Sequence, residues 1–104
     1  MLANKEIPTE VVYEDDKIFC FKDTNPQAPV HVLIIPKKHI ASLDELNDGD
    51  IAAYMMLKIK DIAKMLGLEN GYRVVMNCGE DGDQTVKHLH MHLLGKRKMS
   101  WPPG

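Results

Sequence analysis

Cysteine is scarce in this chain. Cys20 and Cys78 are its only two, and their spacing fits neither a zinc ligand pair nor a redox pair. Disulfide scaffolds and thiol oxidoreductases are therefore set aside. Long hydrophobic runs are missing as well: nothing nears the roughly 20 apolar residues of a membrane span. The first ten residues are mixed and polar, unlike a secretory leader. The expectation is a cytoplasmic protein with reduced thiols and no membrane partner. No excess of one charge sign exists either, with 13 Lys and Arg against 15 Asp and Glu, a net charge of -2. That argues against a general nucleic-acid surface, while a local basic patch stays open. Repeats and low-complexity tracts are absent. What remains is a 104-residue chain of ordinary globular composition, long enough for one domain over residues 1–104 and too short for two.

The elements follow in order. Residues 1–6 read as a frayed start or a partial helical turn, followed by Ile7-Pro8-Thr9. Val11-Val12-Tyr13 and Lys17 to Lys22 are rich in strand formers and flank the acidic turn Glu14-Asp15-Asp16, which predicts a β-hairpin. Asp23 to Pro29 carries two prolines and must be a loop. Val30 to Ile35 is apolar on both faces except for His31, as in a central buried strand, and His31 reads as structural. Asp44, Asn47, Asp48 and Asp50 offer N-caps for a helix from about Asp50 to Leu66. Ile51, Met55, Ile59, Ile62 and Leu66 form its core stripe, and Gly67 is its C-terminal cap. Met56 and Leu57 lie off the stripe, suiting a contact between subunits. Tyr72 to Met76 and His88 to Leu94 supply two further strands. The fold class is α+β: an antiparallel sheet of about five strands with one long helix packed on it.

The chain's focus is His88-Leu89-His90-Met91-His92-Leu93-Leu94-Gly95. In an extended strand this alternation puts three imidazoles on one face and the apolar residues on the other. Clustered imidazoles each need a partner, and crowding penalises protonating all three. Three explanations stand at this point: a solvated polar face, a tetrahedral metal site on His88, His90 and His92, or imidazole chemistry on an anionic substrate.

His88-x-His90-x-His92-Leu93-Leu94 resembles the signature of the histidine-triad (HIT) family. Asp23-Thr24-Asn25-Pro26-Gln27-Ala28-Pro29, Ile35-Pro36-Lys37-Lys38-His39-Ile40, Gly71-Tyr72-Arg73, Asn77 and Asp81 to Val86 extend the likeness over nearly the whole chain. The ending Trp101-Pro102-Pro103-Gly104 resembles the histidine-triad nucleotide-binding (HINT) branch. The resemblance implies a HIT-like homodimer that binds purine nucleotides of the AMP type and hydrolyses nucleoside phosphoramidates. It would act as an adenosine 5'-monophosphoramidase, releasing AMP and an amine without metal or other cofactor. His90 would attack the α-phosphorus and form a nucleotidyl-histidine that water resolves.

Under the same resemblance His88 and His92 orient His90 and hold non-bridging oxygens, and His39 bonds to the triad. Thr85 donates to a phosphate oxygen or the leaving nitrogen. Asn77 contacts the phosphate region, and backbone N–H groups from Gln84 to Val86 form part of the phosphate cradle. Asp23 accepts from the ribose. Phe21 and Thr24 border the base, and Trp101 reaches the partner's site. Three positions depart from the family pattern. Thr24 replaces an aliphatic residue, Thr85 a serine, and of the apolar N-terminal stretch that closes over the base only Leu2 remains. The alternatives are a metal-dependent hydrolase, a non-catalytic nucleotide-binding adaptor, and a dinucleoside polyphosphate hydrolase of the same family. DNA-end deadenylation is disfavoured because no added basic or zinc-binding module is present.

Overall fold

The computed structural model describes residues 10–103; the expected initial turn, Leu2 and Gly104 lie outside the described residues. Five strands form one antiparallel sheet in the order β1-β2-β3-β5-β4. They are β1 (Val11–Glu14), β2 (Ile18–Lys22), β3 (Val30–Pro36), β4 (Tyr72–Val75) and β5 (Met91–Gly95). One long helix, α1 (Gly49–Met65), crosses between β3 and β4. β3 is central, as its two apolar faces predict, and β4 is an edge.

The helix begins where Asp48 caps it, the carboxylate accepting from the N–H groups of Asp50 and Ile51. It ends in a Schellman motif: the Leu68 N–H reaches back to the Ala63 carbonyl at 2.9 Å while Gly67 takes a φ of 75°. Its buried face is Ile51, Met55, Ile59, Ile62 and Ala63, so Ala63 takes the place expected of the half-buried Leu66. This face packs on Ile18, Cys20, Val32, Ile34, Met91 and Leu93 from one side of the sheet. Burial pushes the Cys20 thiol up to about 12, leaving it inert.

Asp15 fastens the β1–β2 turn to the helix. Its Oδ1 accepts from the Lys17 and Ile18 N–H groups at 2.8 and 2.9 Å, and its Oδ2 from the hydroxyls of Tyr13 and Tyr54. The opposite side of the sheet holds a smaller apolar cluster of Phe21, Leu33 and Ile35 with Phe19. Residues paired across antiparallel strands share a face. The pairings Phe21↔Leu33, Leu33↔His92 and Val75↔His92 therefore set His92 on this helix-free side.

The last strand departs from expectation. It starts at Met91, not His88. The β3–β5 register ends at Ile34↔Met91, and two residues further on it would set Leu89 against Pro36. Proline has no N–H, so the ladder stops there. Leu89 instead donates its N–H to the Ile40 carbonyl at 2.6 Å. The three histidines consequently do not share one regular strand face. His88 and His90 sit in an irregular approach, and only His92 lies in the sheet.

Candidate active site

Hydrogen-bond partners fix the protonated nitrogen of each imidazole, because a carbonyl can only accept and a peptide N–H can only donate. The Pro36 carbonyl lies 3.0 Å from His88 Nε2, so Nε2 carries the proton. His88 Nδ1 must then accept, and His39 Nδ1, 3.1 Å away, is its donor. The carbonyl orphaned by the end of the ladder thus becomes the anchor for the first triad ring.

His90 has the opposite tautomer. Its Nδ1 lies 2.6 Å from the carbonyl oxygen of His88 and donates to it. That leaves the lone pair on Nε2, the atom a nucleophile needs. His90 is only 8% exposed.

The third ring is set from the Asp23 to Pro29 loop. Gln27 donates its N–H to His31 Nδ1 at 3.0 Å, so the His31 proton is on Nε2. That nitrogen lies 2.9 Å from His92 Nδ1 and donates to it, leaving His92 protonated on Nε2. The rings of His90 and His92 meet edge-on, with centroids 5.2 Å apart. His92 therefore carries its proton on Nε2, in a ring set edge-on to that of His90. Asp23 flanks the relay, Oδ2 lying 3.4 Å from His31 Nε2 and 3.9 Å from His92 Nδ1.

Burial is the main force on these rings. It lowers His31 against the opposing pull of Asp23, and it lowers His88 against the help of the Pro36 carbonyl. His92 is brought down to about 4 by burial, with His90 and His31 acting in the same direction and Asp23 against. All three are neutral near pH 7, so the approach of Asp23 to His31 is a contact with a neutral ring and not an ion pair.

The same tautomers bear on metal binding. Among the described residues, Asp23, His31 and His92 are the one group whose three ligand atoms lie within 4.8 Å of one another. His88, His90 and His92 together do not form such a group. A cation on Asp23, His31 and His92 would need the lone pair of His31 Nε2. Freeing it would move the proton to Nδ1, against the Gln27 N–H. These donors suit a shared proton and do not fit a metal ion without breaking that bond.

The loop before the triad is held from within. The Gln84 amide donates to the carbonyls of Ala41 and Val86 at 2.8 and 2.9 Å, and its oxygen accepts from the Gly79 N–H. The Gln84 N–H is also used, by the Gly79 carbonyl at 3.0 Å. Gln84, which the resemblance puts at the phosphate, braces the loop through both its side chain and its N–H. Asn77 likewise donates to the Gly82 carbonyl at 2.6 Å. Gly82 must be glycine, since a Cβ there would run into the Cys78 backbone. Thr85 is exposed and Val86 half-buried on this loop.

Phe21 is buried, its ring 5.3 Å from Phe19, on the same side of the sheet as His92. Thr24 is exposed in the turn where Asp23 Oδ1 accepts the Asn25 N–H. Trp101 is 82% exposed among the described residues. His31, read from the sequence as structural, is satisfied by Gln27 and by His92, and the second bond ties it to the triad. A lone histidine on a central strand must satisfy two ring nitrogens, and that requirement was the available signal.

Comparison with known proteins gives the family of this fold. Residues 4–99 match the model of the HIT domain. A 14 kDa zinc-binding protein of Zea mays is 51% identical over 99% of this chain and 84% of its own length. A HIT-like protein of Synechococcus elongatus is 50% identical over 99% of this chain and 92% of its own. The crystal structure of a HIT family hydrolase from Legionella pneumophila superposes with a TM-score of 0.93 at 51% identity, covering 99% of this chain and 95% of that one. A histidine triad nucleotide-binding protein from Candida albicans gives a TM-score of 0.82 at 34% identity, over 95% and 78% of the two chains.

Proposed function

The chain belongs to the HIT family, and on that footing we propose that it is a purine nucleoside phosphoramidate hydrolase of the HINT type. It would release AMP and an amine through a nucleotidyl-histidine on His90, without a metal. The observation that carries this is the 2.6 Å bond from His90 Nδ1 to the His88 carbonyl, which reserves Nε2 for attack.

In the first step the substrate nitrogen takes a proton from solvent, the Nε2 lone pair bonds to the α-phosphorus, the P–N bond breaks with its electron pair on nitrogen, and the neutral amine leaves. The His90 ring then carries positive charge, which the His88 carbonyl on Nδ1 stabilises. In the second step water bonds to phosphorus and releases a proton to solvent, the P–Nε2 bond breaks with its electron pair returning to Nε2, and AMP leaves. The Nε2 proton of His92, fixed by His31, suits a non-bridging oxygen in both steps. His39 acts by keeping His88 in its tautomer. Thr85 is assigned to the leaving nitrogen or a phosphate oxygen, and Asp23 to the ribose. Phe21, Thr24 and Val86 are assigned to the walls of the nucleotide site, and Asn77 and Gln84 to shaping its phosphate end.

Zinc, carried in the name of the Zea mays relative, is not assigned a step, because taking the His31 nitrogen would cost the Gln27 bond. A homodimer is part of the proposal. β4 is an edge strand whose Tyr72 and Val74 are exposed, and Met56 and Leu57 are each 62% exposed on α1. Trp101 would then reach the second copy's site. Among the described residues no helix is long and apolar enough to cross a membrane, and cytoplasmic residence is proposed with the activity.

The test is intact-mass spectrometry after mixing with adenosine monophosphoramidate in EDTA and quenching in the cold. A transient AMP adduct that His90→Ala lacks is expected. AMP release abolished by EDTA would overturn the metal-free reading. Nucleotide binding with neither adduct nor release would favour the adaptor.

A further inference from the structure

The tautomers of His31 and His92 hang on a loop that has little packing to hold it. Residues 24–27 are exposed, and most bonds of the loop are local. Asp23 Oδ1 accepts the Asn25 N–H at 2.8 Å, the Gln27 amide donates to the Asn25 carbonyl at 3.1 Å, and the Asp23 N–H reaches the His31 carbonyl at 3.0 Å. Pro26 and Pro29 fix their own φ and restrict Asn25 and Ala28 before them. Gln27 is then the residue with both torsions free, and its N–H is the donor on which His31 depends. One bond reaches it from the far end of the chain: Arg97 Nε donates to the Gln27 carbonyl at 2.9 Å, across seventy residues. The backbone sets this up. β5 ends at Gly95, opposite Val30. Lys96 then takes a φ of 69°, a left-handed step uncommon for a residue with a Cβ. That step bends the chain as it leaves the sheet, and Arg97, the next residue, meets the loop that leads into β3. A guanidinium N–H on a carbonyl is a charge-assisted bond, stronger than the neutral ones around it.

We propose that Arg97 is a positioning residue for the triad: by holding the Gln27 carbonyl it keeps the Gln27 N–H on His31 Nδ1, and so keeps the proton of His92 on Nε2. Without that N–H both tautomers of His31 fit. The ring can then carry its proton on Nδ1 and accept from His92 Nδ1 through Nε2, which reverses the bond between the two rings. His92 is left with a lone pair on Nε2, where the proposed chemistry uses a proton. Asp23 selects only weakly between the two arrangements. Its Oδ2 lies 3.4 Å from His31 Nε2 and 3.9 Å from His92 Nδ1, and it accepts from whichever carries the proton. The Arg97 bond lies within one chain, so it acts whether or not a second copy covers the guanidinium.

The kinetic consequence rests on the phosphoramidase reading; the tautomer does not, so the two failures are distinguishable. Two variants of the full chain separate the bond from the charge. Arg97→Met keeps the length of the side chain without a donor. Arg97→Gln lacks the charge as well, but carries an N–H as many bonds from Cα as arginine Nε. Long-range proton–nitrogen spectra of the imidazoles should show His31 protonated on Nε2 alone in the natural sequence. In Arg97→Met the proton should be shared with Nδ1, and the Gln27 amide should exchange faster with solvent. Its kcat on adenosine monophosphoramidate should fall roughly tenfold, the size of one hydrogen bond to a charged group, with KM little changed. Arg97→Gln should recover the Nε2 tautomer and most of kcat. Lys98→Met, which takes away a neighbouring charge, should leave both as they are. His31 still protonated on Nε2 alone in Arg97→Met overturns the proposal. An equal loss in the Met and Gln variants overturns it too, since the charge alone would then be responsible, and so does a loss confined to KM. If the natural sequence does not turn over the phosphoramidate, that reading fails, and the spectra alone decide the role of Arg97.

Discussion

His31 Nε2 donates to His92 Nδ1 across 2.9 Å, from the central strand to its neighbour. Because Gln27 occupies the other nitrogen of His31, this bond has only one polarity. His92 is thereby committed to present a proton, and His90, bonded to a carbonyl through Nδ1, is committed to present a lone pair.

Removing the His31 ring should accordingly impair chemistry more than binding. His31→Phe keeps the bulk and loses both nitrogens. The expected result is a kcat lower by roughly 10- to 100-fold, the usual cost of losing an orienting partner, with KM little changed. Steady-state kinetics on adenosine monophosphoramidate, with nucleotide titration as control, checks this. A KM effect alone would contradict the relay.

Acid should destabilise the fold before it reaches the carboxylates. His31, His88 and His92 are held below the ordinary histidine value of 6.5, His92 at about 4. Between these values the unfolded chain binds more protons than the folded one. Stability is therefore complete above pH 6.5 and is lost as pH falls toward about 4. Thermal melts at pH 7.5, 6, 5 and 4 should show Tm falling through that window. A flat Tm down to pH 4 would contradict the buried neutral rings.

Asp15 should behave as a structural clasp. Burial raises its pKa, but the bonds from Tyr54, Lys17, Ile18 and Tyr13 outweigh this and hold it below the ordinary 3.8. Asp15→Asn offers one acceptor oxygen where two were used and turns donors toward donors. A loss of about 1–3 kcal/mol is expected, measured by urea unfolding, with the triad's kinetics unchanged in the folded protein.

The edge strand should decide assembly. Val74→Lys places a charge on β4, where a second copy would pair. Sedimentation equilibrium is expected to show a dimer for the natural sequence and a monomer for the variant. A variant that still dimerises would place the contact on α1 at Met56 and Leu57.

Local physics made much of this protein legible in advance. The stripe from Ile51 to Ile62 faces one way on any α-helix, Asp48 and Gly67 suit only its two ends, and a strand apolar on both faces belongs in the middle of a sheet. The spacing of His88, His90 and His92 likewise marked the site. Only the tertiary structure could decide how those rings are used. Whether the strand reaches back to His88 depends on Pro36 standing opposite Leu89, a register the sequence does not state. His31 joins the site because β3 and β5 pair so that its ring meets His92, sixty-one residues away. Gln84, Asn77 and Gly82 cluster in sequence with the triad yet mainly brace their own loop. Periodicity acts between neighbours in the chain and can be read from it. Tautomers and proton relays depend on which distant carbonyl or N–H each ring meets, and folding alone creates those meetings.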